Sequence, residues 1–187
     1  MIKLFSKWIL KLLGWKIEVN MPSGVRKAVM LVAPHTTNYD FFIGRLVFNV
    51  VGLPVKFLIK KEAFFFPFGE KKKKMGGIPV KRGERNNLVH QLAAHFEQAD
   101  KLVLVVTPEG TRKYTKYWKK GFYYIALEAQ VPIALGYLDY KHKKAGVKKV
   151  INPSGDLKTD FEDFKAFYQT LHAYHPEKFC TDPKIRN

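Results

Sequence analysis

The run Lys101 to Thr107, KLVLVVT, constrains the fold more than any other stretch of the chain. Its apolar side chains are unbroken from Leu102 to Val106, so a strand formed here has no polar face to offer water. It must be covered above and below, which is the condition of a central strand in a parallel α/β sheet. Ala28 to Ala33 reads as a second buried strand. Val55 to Ile59, Ile78 to Val80 and Pro132 to Tyr137 are further strands, and Ile17 to Val19 is a short edge strand. The segments between them are helical: Phe41 to Val51, stopped by Gly52-Leu53-Pro54; Arg85 to Ala99, with Leu88, Leu92 and Phe96 on one side; and Gly121 to Gln130. Asp139 to Lys149 reads as a basic hairpin or loop. Thr159 to Tyr174 reads as a last helix, with Thr159 and Glu162 at capping-box spacing and Phe161, Phe164, Phe167 or Tyr168, and Leu171 facing inward. This alternation predicts a single α/β domain over residues 16–187, with a largely parallel central sheet covered by helices. A chain of 187 residues is long enough for one such domain and short for two.

Residues 1–15 stand apart. Ile2, Phe5, Trp8, Ile9, Leu12 and Leu13 recur at helical spacing, with Lys3, Lys7 and Lys11 among them. The lysines break the apolar run well short of the roughly 20 residues a bilayer span needs. The expectation is an amphipathic helix in the membrane interface, with Phe5, Trp8 and Leu12 in the acyl boundary and the lysines toward anionic head groups. Packing of the same helix on the chain's own core is the alternative. Phe65 and Phe66, inside the aromatic run before Lys71 to Lys74, are a second candidate lipid contact, or else core.

The formal charge of +17 asks for an anionic partner, because so large an imbalance repels itself. A nucleic acid, an anionic membrane surface and phosphorylated small molecules all qualify. Fifteen Phe, nine Tyr and three Trp supply aromatic content for a nucleic-acid module, but they are interleaved with aliphatic residues as in a core or a lipid wedge. No nucleic-acid motif occurs, and no nucleic acid is expected. Cys180 is single, so no intrachain disulfide forms, which is compatible with a reducing compartment. No Cys-His metal spacing is present, and His172 and His175 read as a solvated helix end rather than ligands. Neither a metal nor a cofactor is expected.

Chemistry collects at three strand ends. In Leu31 to Asp40, LVAPHTTNYD, an apolar run breaks at a proline and delivers His35 and Asp40 five residues apart. A turn into a helix beginning near Thr37 can return Asp40 to one nitrogen of His35, leaving the other free as a base. Thr37-x-x-Asp40 is equally the spacing of a capping box. Ile78 to Val80 leads into Lys81-Arg82, and Lys101 to Thr107 leads into Glu109-Gly110-Thr111-Arg112. Ligands of a parallel sheet gather beyond its carboxyl ends. Arg82 and Arg112 suit a phosphate monoester, Gly110 permits close backbone approach, and Glu109 can orient Arg112 or accept from a substrate hydroxyl.

This ordered set resembles the glycerolipid acyltransferases, the family that includes the lysophosphatidic acid (1-acylglycerol-3-phosphate O-) acyltransferases. His35 to Asp40 is similar to the family's His-x4-Asp block, Lys61-Glu62-x4-Pro67-Phe68-Gly69 to the second, Gly77 to Arg82 to the third and Pro108 to Arg112 to the fourth. Val131-Pro132-Ile133 follows in place. The resemblance implies transfer of an acyl group from acyl-coenzyme A or acyl carrier protein to a lysophospholipid hydroxyl. It implies catalysis by His35 and Asp40, and an acceptor held by Lys81, Arg82, Glu109, Gly110, Thr111 and Arg112. It also implies work at an anionic membrane surface, on the cytoplasmic face, as a peripheral or monotopic protein. An amino-acid lipid is another possible acceptor.

Overall fold

The computed structural model describes residues 1–63, 69–70, 73, 75–80 and 85–186. Its elements run α1 (Ile2–Leu12), β1 (Lys16–Val19), β2 (Lys27–Ala33), α2 (Asn38–Val51), β3 (Val55–Lys60), β4 (Gly77–Val80), α3 (Arg85–Glu97), β5 (Leu102–Val106), β6 (Tyr117–Trp118), α4 (Gly121–Glu128), β7 (Ile133–Asp139), β8 (Lys144–Ile151), α5 (Leu157–Tyr168) and β9 (Lys184–Ile185). Seven strands form one sheet in the order β1-β8-β7-β2-β5-β3-β4, and β6 and β9 form a separate pair. Every pairing in the large sheet is parallel except β7 with β8. The architecture is thus the expected α/β domain with a mostly parallel central sheet.

Strand periodicity sorts the core onto two faces. Val29, Leu31 and Ala33 of β2 point into the layer built by α3, α4 and α5, where Leu92, Phe96, Phe122, Tyr123, Phe161, Phe164 and Tyr168 are buried. Ala28 and Met30 point the other way, toward Phe48 of α2 and its neighbours. Leu102 to Val105 are all 8% exposed or less, as a strand covered on both faces requires.

The helix α1 uses only a narrow stripe to pack. Ser6 and Leu10, four residues apart, are buried against α2, and Ser6 Oγ accepts from Asn49 Nδ2 at 3.2 Å. Phe5, Trp8 and Leu12 remain 62%, 59% and 66% exposed, together with Ile2 and Leu4. On a helical wheel the lysines fall between the buried stripe and the arc of Leu4, Trp8, Leu12 and Phe5. The helix therefore both packs on the domain and leaves a broad apolar arc uncovered. Phe65 and Phe66 lie outside the described residues.

The basic segment after β7 is a hairpin and not a loop: β7 turns into antiparallel β8, which runs to Ile151 and carries β1 as its parallel neighbour, extending the sheet by two strands. Two expectations need correcting. The last helix begins two residues earlier than expected, because Asp156 is the cap, accepting from the Lys158 N–H at 2.9 Å and from Thr159 Oγ1 at 2.7 Å. It also stops at Tyr168, so His172 and His175 do not end a helix. Tyr168 is pinned there, its hydroxyl within 2.9 Å of the Leu31 carbonyl and 3.0 Å of the Gly136 carbonyl, and the chain then turns back across the sheet edge.

The β1–β8 pairing depends on one glycine. Gly146 has φ +150°, and a Cβ there would stand 1.8 Å from the Glu18 carbonyl oxygen of β1. Gly146→Ala must push the strands apart, so it is expected to cost about 1–3 kcal/mol in a urea denaturation series. An unchanged midpoint would show that β1 is not held by this close approach.

Candidate active site

β2 and β5 are central neighbours, with Leu31 opposite Val106, and β7 flanks β2 on the other side, with Ala33 opposite Tyr137. Three loops therefore leave the sheet side by side at one edge. They carry His35 to Asp40, Glu109 to Arg112, and Tyr140.

The two readings of Thr37-x-x-Asp40 turn out to be one structure. Thr37 caps α2, its hydroxyl accepting from the Tyr39 N–H at 3.4 Å, while Asp40 Oδ2 accepts from the Thr37 N–H at 2.9 Å and the Thr36 N–H at 2.6 Å. The same oxygen lies 3.2 Å from His35 Nδ1. The cap thus fixes the carboxylate that faces the imidazole. Asp40 is 5% exposed, so its charge rests on these donors and on the α2 amino terminus. Nδ1 is the ring nitrogen that faces the carboxylate, so a proton placed there leaves His35 Nε2 its lone pair. The His35 side chain is 24% exposed and can meet a substrate.

Glu109 sits beneath this dyad and away from solvent. It is 7% exposed, and its Oε1 accepts the His35 backbone N–H at 3.2 Å while Oε2 is buried without a partner among the described residues. Burial, with the negative charge of Asp40 adding to it, pushes its carboxyl up to about 8 against the help of the His35 N–H. At neutral pH Glu109 is therefore mostly uncharged. It ties the loop after β5 to the loop after β2, and Arg112 does not turn to it. Instead Arg112 Nη1 donates to Asn38 Oδ1 in the first turn of α2, which joins the fourth motif to the first by a separate contact. Thr111 Oγ1 accepts from the Lys113 N–H at 3.1 Å in its own turn. Gly110 has φ +63°, so this position needs glycine for its backbone, while the space a Cβ would take is filled only by the movable end of the Lys119 side chain. Lys81 and Arg82 lie outside the described residues.

Residues that the sequence did not single out complete the setting. The Tyr140 hydroxyl donates to Asp40 Oδ1 at 2.7 Å, and burial followed by this hydrogen bond holds that phenol well above its usual range. Trp15 meets the Tyr140 ring edge-on with centroids 5.1 Å apart, and Tyr174 meets it at 5.2 Å. Thr36 Oγ1 accepts from the His175 N–H at 3.2 Å. Tyr140 directly follows β7, and only the position of that strand beside β2 could have marked it. A cleft of about 420 Å³ lined in part by Arg45, Phe48, Lys56, Lys73 and Lys101 opens at the opposite edge, where β3 and β5 begin, and takes no part in the site.

Comparison with known proteins bears on the family and the fold. The family model described as Acyltransferase matches residues 16–134, a span holding His35, Asp40, Glu109 and Arg112. Among solved structures the chain is similar to the 1-acyl-sn-glycerophosphate (LPA) acyltransferase PlsC from Thermotoga maritima. The TM-score is 0.60 at 18% identity, over 89% of this chain and 75% of that one, a likeness of fold. No curated protein sequence matches the chain.

The buried Glu109 makes stability depend on pH in a definite direction. Its carboxyl is raised from 4.5 to about 8 on folding, so between those values the folded chain holds a proton that the unfolded chain has released. Stability contributed by this group is complete below the lower value and is lost as pH rises through the upper one, at up to ~1.4 kcal/mol per pH unit. Glu109→Gln cannot ionise. Urea midpoints of the variant are expected to fall less steeply than wild type between about pH 5 and 8. Parallel curves would show that Glu109 is charged in the folded chain.

Proposed function

The chain belongs to the Acyltransferase family, and from that premise we propose that it moves a fatty acyl group from an acyl thioester to the free hydroxyl of a lysophospholipid. The donor is acyl-coenzyme A or acyl carrier protein. The leading acceptor is 1-acylglycerol-3-phosphate, which puts the reaction in phospholipid biosynthesis. The observation that carries the reading is the 3.2 Å approach of His35 Nδ1 to an Asp40 carboxylate that accepts from Thr36, Thr37 and Tyr140 as well.

In this mechanism His35 Nε2 takes the proton from the acceptor hydroxyl as its oxygen attacks the thioester carbonyl. Asp40 stays ionised and stabilises the imidazolium that forms. Collapse of the tetrahedral intermediate breaks the carbon–sulfur bond, and the imidazolium returns its proton to the leaving sulfur. No acyl-enzyme is needed, and Cys180 lies outside all the motifs. Glu109 holds the His35 backbone from below. Arg112, exposed and anchored to Asn38, is the described guanidinium suited to the acceptor phosphate, with Lys81 and Arg82 proposed beside it. A neutral Glu109 suits such a site, since a second carboxylate charge would repel phosphate.

The proposal extends to location. No helix among the described residues is long and apolar enough to cross a membrane. The exposed arc of α1, the exposed Phe41 and Phe42 of α2, and a net charge of +17 all favour peripheral or monotopic docking on an anionic membrane, here assigned to its cytoplasmic face. Ser6 pairs with Asn49 near the end of α2, while Trp15 lies against Tyr140 near its start. The two helices thus run antiparallel, and the carboxyl end of α1 is brought toward the dyad. A lipid-docked α1 would hold the site at the bilayer surface.

Two measurements test this reading. With acyl-coenzyme A or acyl carrier protein as donor and a lysophospholipid acceptor, folded His35→Ala is expected to lose about 10²–10⁴-fold in turnover. Near-normal acyl transfer by that variant would remove the proposed base. Replacing Phe5, Trp8 and Leu12 together by serine is expected to weaken co-sedimentation with anionic vesicles by about tenfold or more, since each side chain buries some 1.5–3 kcal/mol of apolar surface in lipid. Equal co-sedimentation would place the docking surface elsewhere.

A further inference from the structure

Behind the dyad, on the far side of Tyr140, two histidines face one carboxylate. Asp139 ends β7 and is 5% exposed. Its Oδ1 accepts the Lys141 N–H at 3.2 Å and the His142 N–H at 3.3 Å, folding the turn that brings His142 Nδ1 to 2.8 Å from Oδ2. His172 arrives from the segment after α5, held there because its carbonyl accepts the Tyr140 N–H at 2.9 Å. Its Nδ1 lies 3.4 Å from Asp139 Oδ1. That nitrogen is shielded from solvent, and its direction makes a hydrogen bond to no described group. The two rings are 5.2 Å apart at 80°, and one ligand atom from each of the three residues lies within 4.8 Å of the others.

We propose that Asp139, His142 and His172 form a binding site for a borderline divalent transition metal, zinc foremost. A tetrahedral ion with bonds of about 2.0–2.2 Å sets its ligand atoms some 3.3–3.6 Å apart, so the observed spacing needs only small side-chain shifts. The ligand chemistry selects the metal. Calcium and magnesium ask for several oxygen ligands, and this cluster has a single carboxylate in a chain of charge +17, so binding must come from imidazole coordination and not from attraction between charges. A metal here replaces the proton that His142 shares with Asp139 and gives the buried His172 nitrogen a partner. It also staples the β7–β8 hairpin to the segment 171–173, one residue from the tyrosine that holds Asp40. The site is independent of the acyl-transfer reading.

The test uses the full chain without a histidine tag. Calorimetric titration with zinc chloride is expected to give one ion per chain, and His142→Ala and His172→Ala each to weaken binding by at least the roughly 10–100-fold that loss of a mere outer-shell partner costs. Imidazole NMR of the unmodified chain gives a readout that does not depend on variant folding: zinc should shift the signals of His142 and His172 and spare those of His90 and His95. No zinc binding, or binding that leaves the His142 and His172 signals in place, would overturn the site.

Discussion

The Asp40 carboxylate is the point on which the functional edge of this molecule turns. One buried side chain caps the start of α2, accepts from two backbone amides, receives the Tyr140 hydroxyl and faces His35. Ionised groups are buried at tolerable cost only when their lone pairs are filled, and here the groups that fill them come from the loops of two different strands. The dyad and the helix cap are the same contact. A substitution that disturbed the start of α2 would therefore disturb the surroundings of the His35 imidazole as well.

Glu109 sets the electrostatic contrast. Two carboxyls share one buried neighbourhood: Asp40 is surrounded by donors, while among the described residues Glu109 has one weak donor and one oxygen without a partner. Burial, with the Asp40 charge beside it, then keeps Glu109 mostly uncharged at neutral pH. The result is a site with one fixed negative charge under the imidazole and an exposed cation, Arg112, at its rim. That division suits chemistry in which an imidazolium must be stabilised while an anionic acceptor is drawn in.

The aromatic cluster of Trp15, Tyr140 and Tyr174 links this edge to the chain's most exposed apolar surface. α1 is anchored by Ser6 and Leu10 but spends most of its hydrophobic residues on solvent. A soluble surface seldom exposes so much contiguous apolar area without a partner. The fold brings the end of that helix beside the tyrosine that supports Asp40, so that the exposed apolar arc and the dyad are neighbours.

Local sequence determined the strands of the parallel core, because an unbroken run such as Leu102 to Val106 has no other way to hide, and it determined that His35 and Asp40 can meet, because a cap at Thr37 brings them together over one turn. The helical spacing of Phe5, Trp8 and Leu12 among the lysines was likewise readable, although not that Ser6 and Leu10 would form the covered stripe. Tertiary structure alone decided the rest. Glu109 reads as a polar motif residue until β5 is laid beside β2 and closes over it. Arg112 finds Asn38 rather than its neighbour for the same reason. Tyr140 and the Asp139, His142 and His172 cluster come from segments distant in the chain, and no periodicity connects them. Long-range pairing of β7 with β2 and β8 creates those contacts, whereas local spacing records only what one stretch of backbone can do within a few residues.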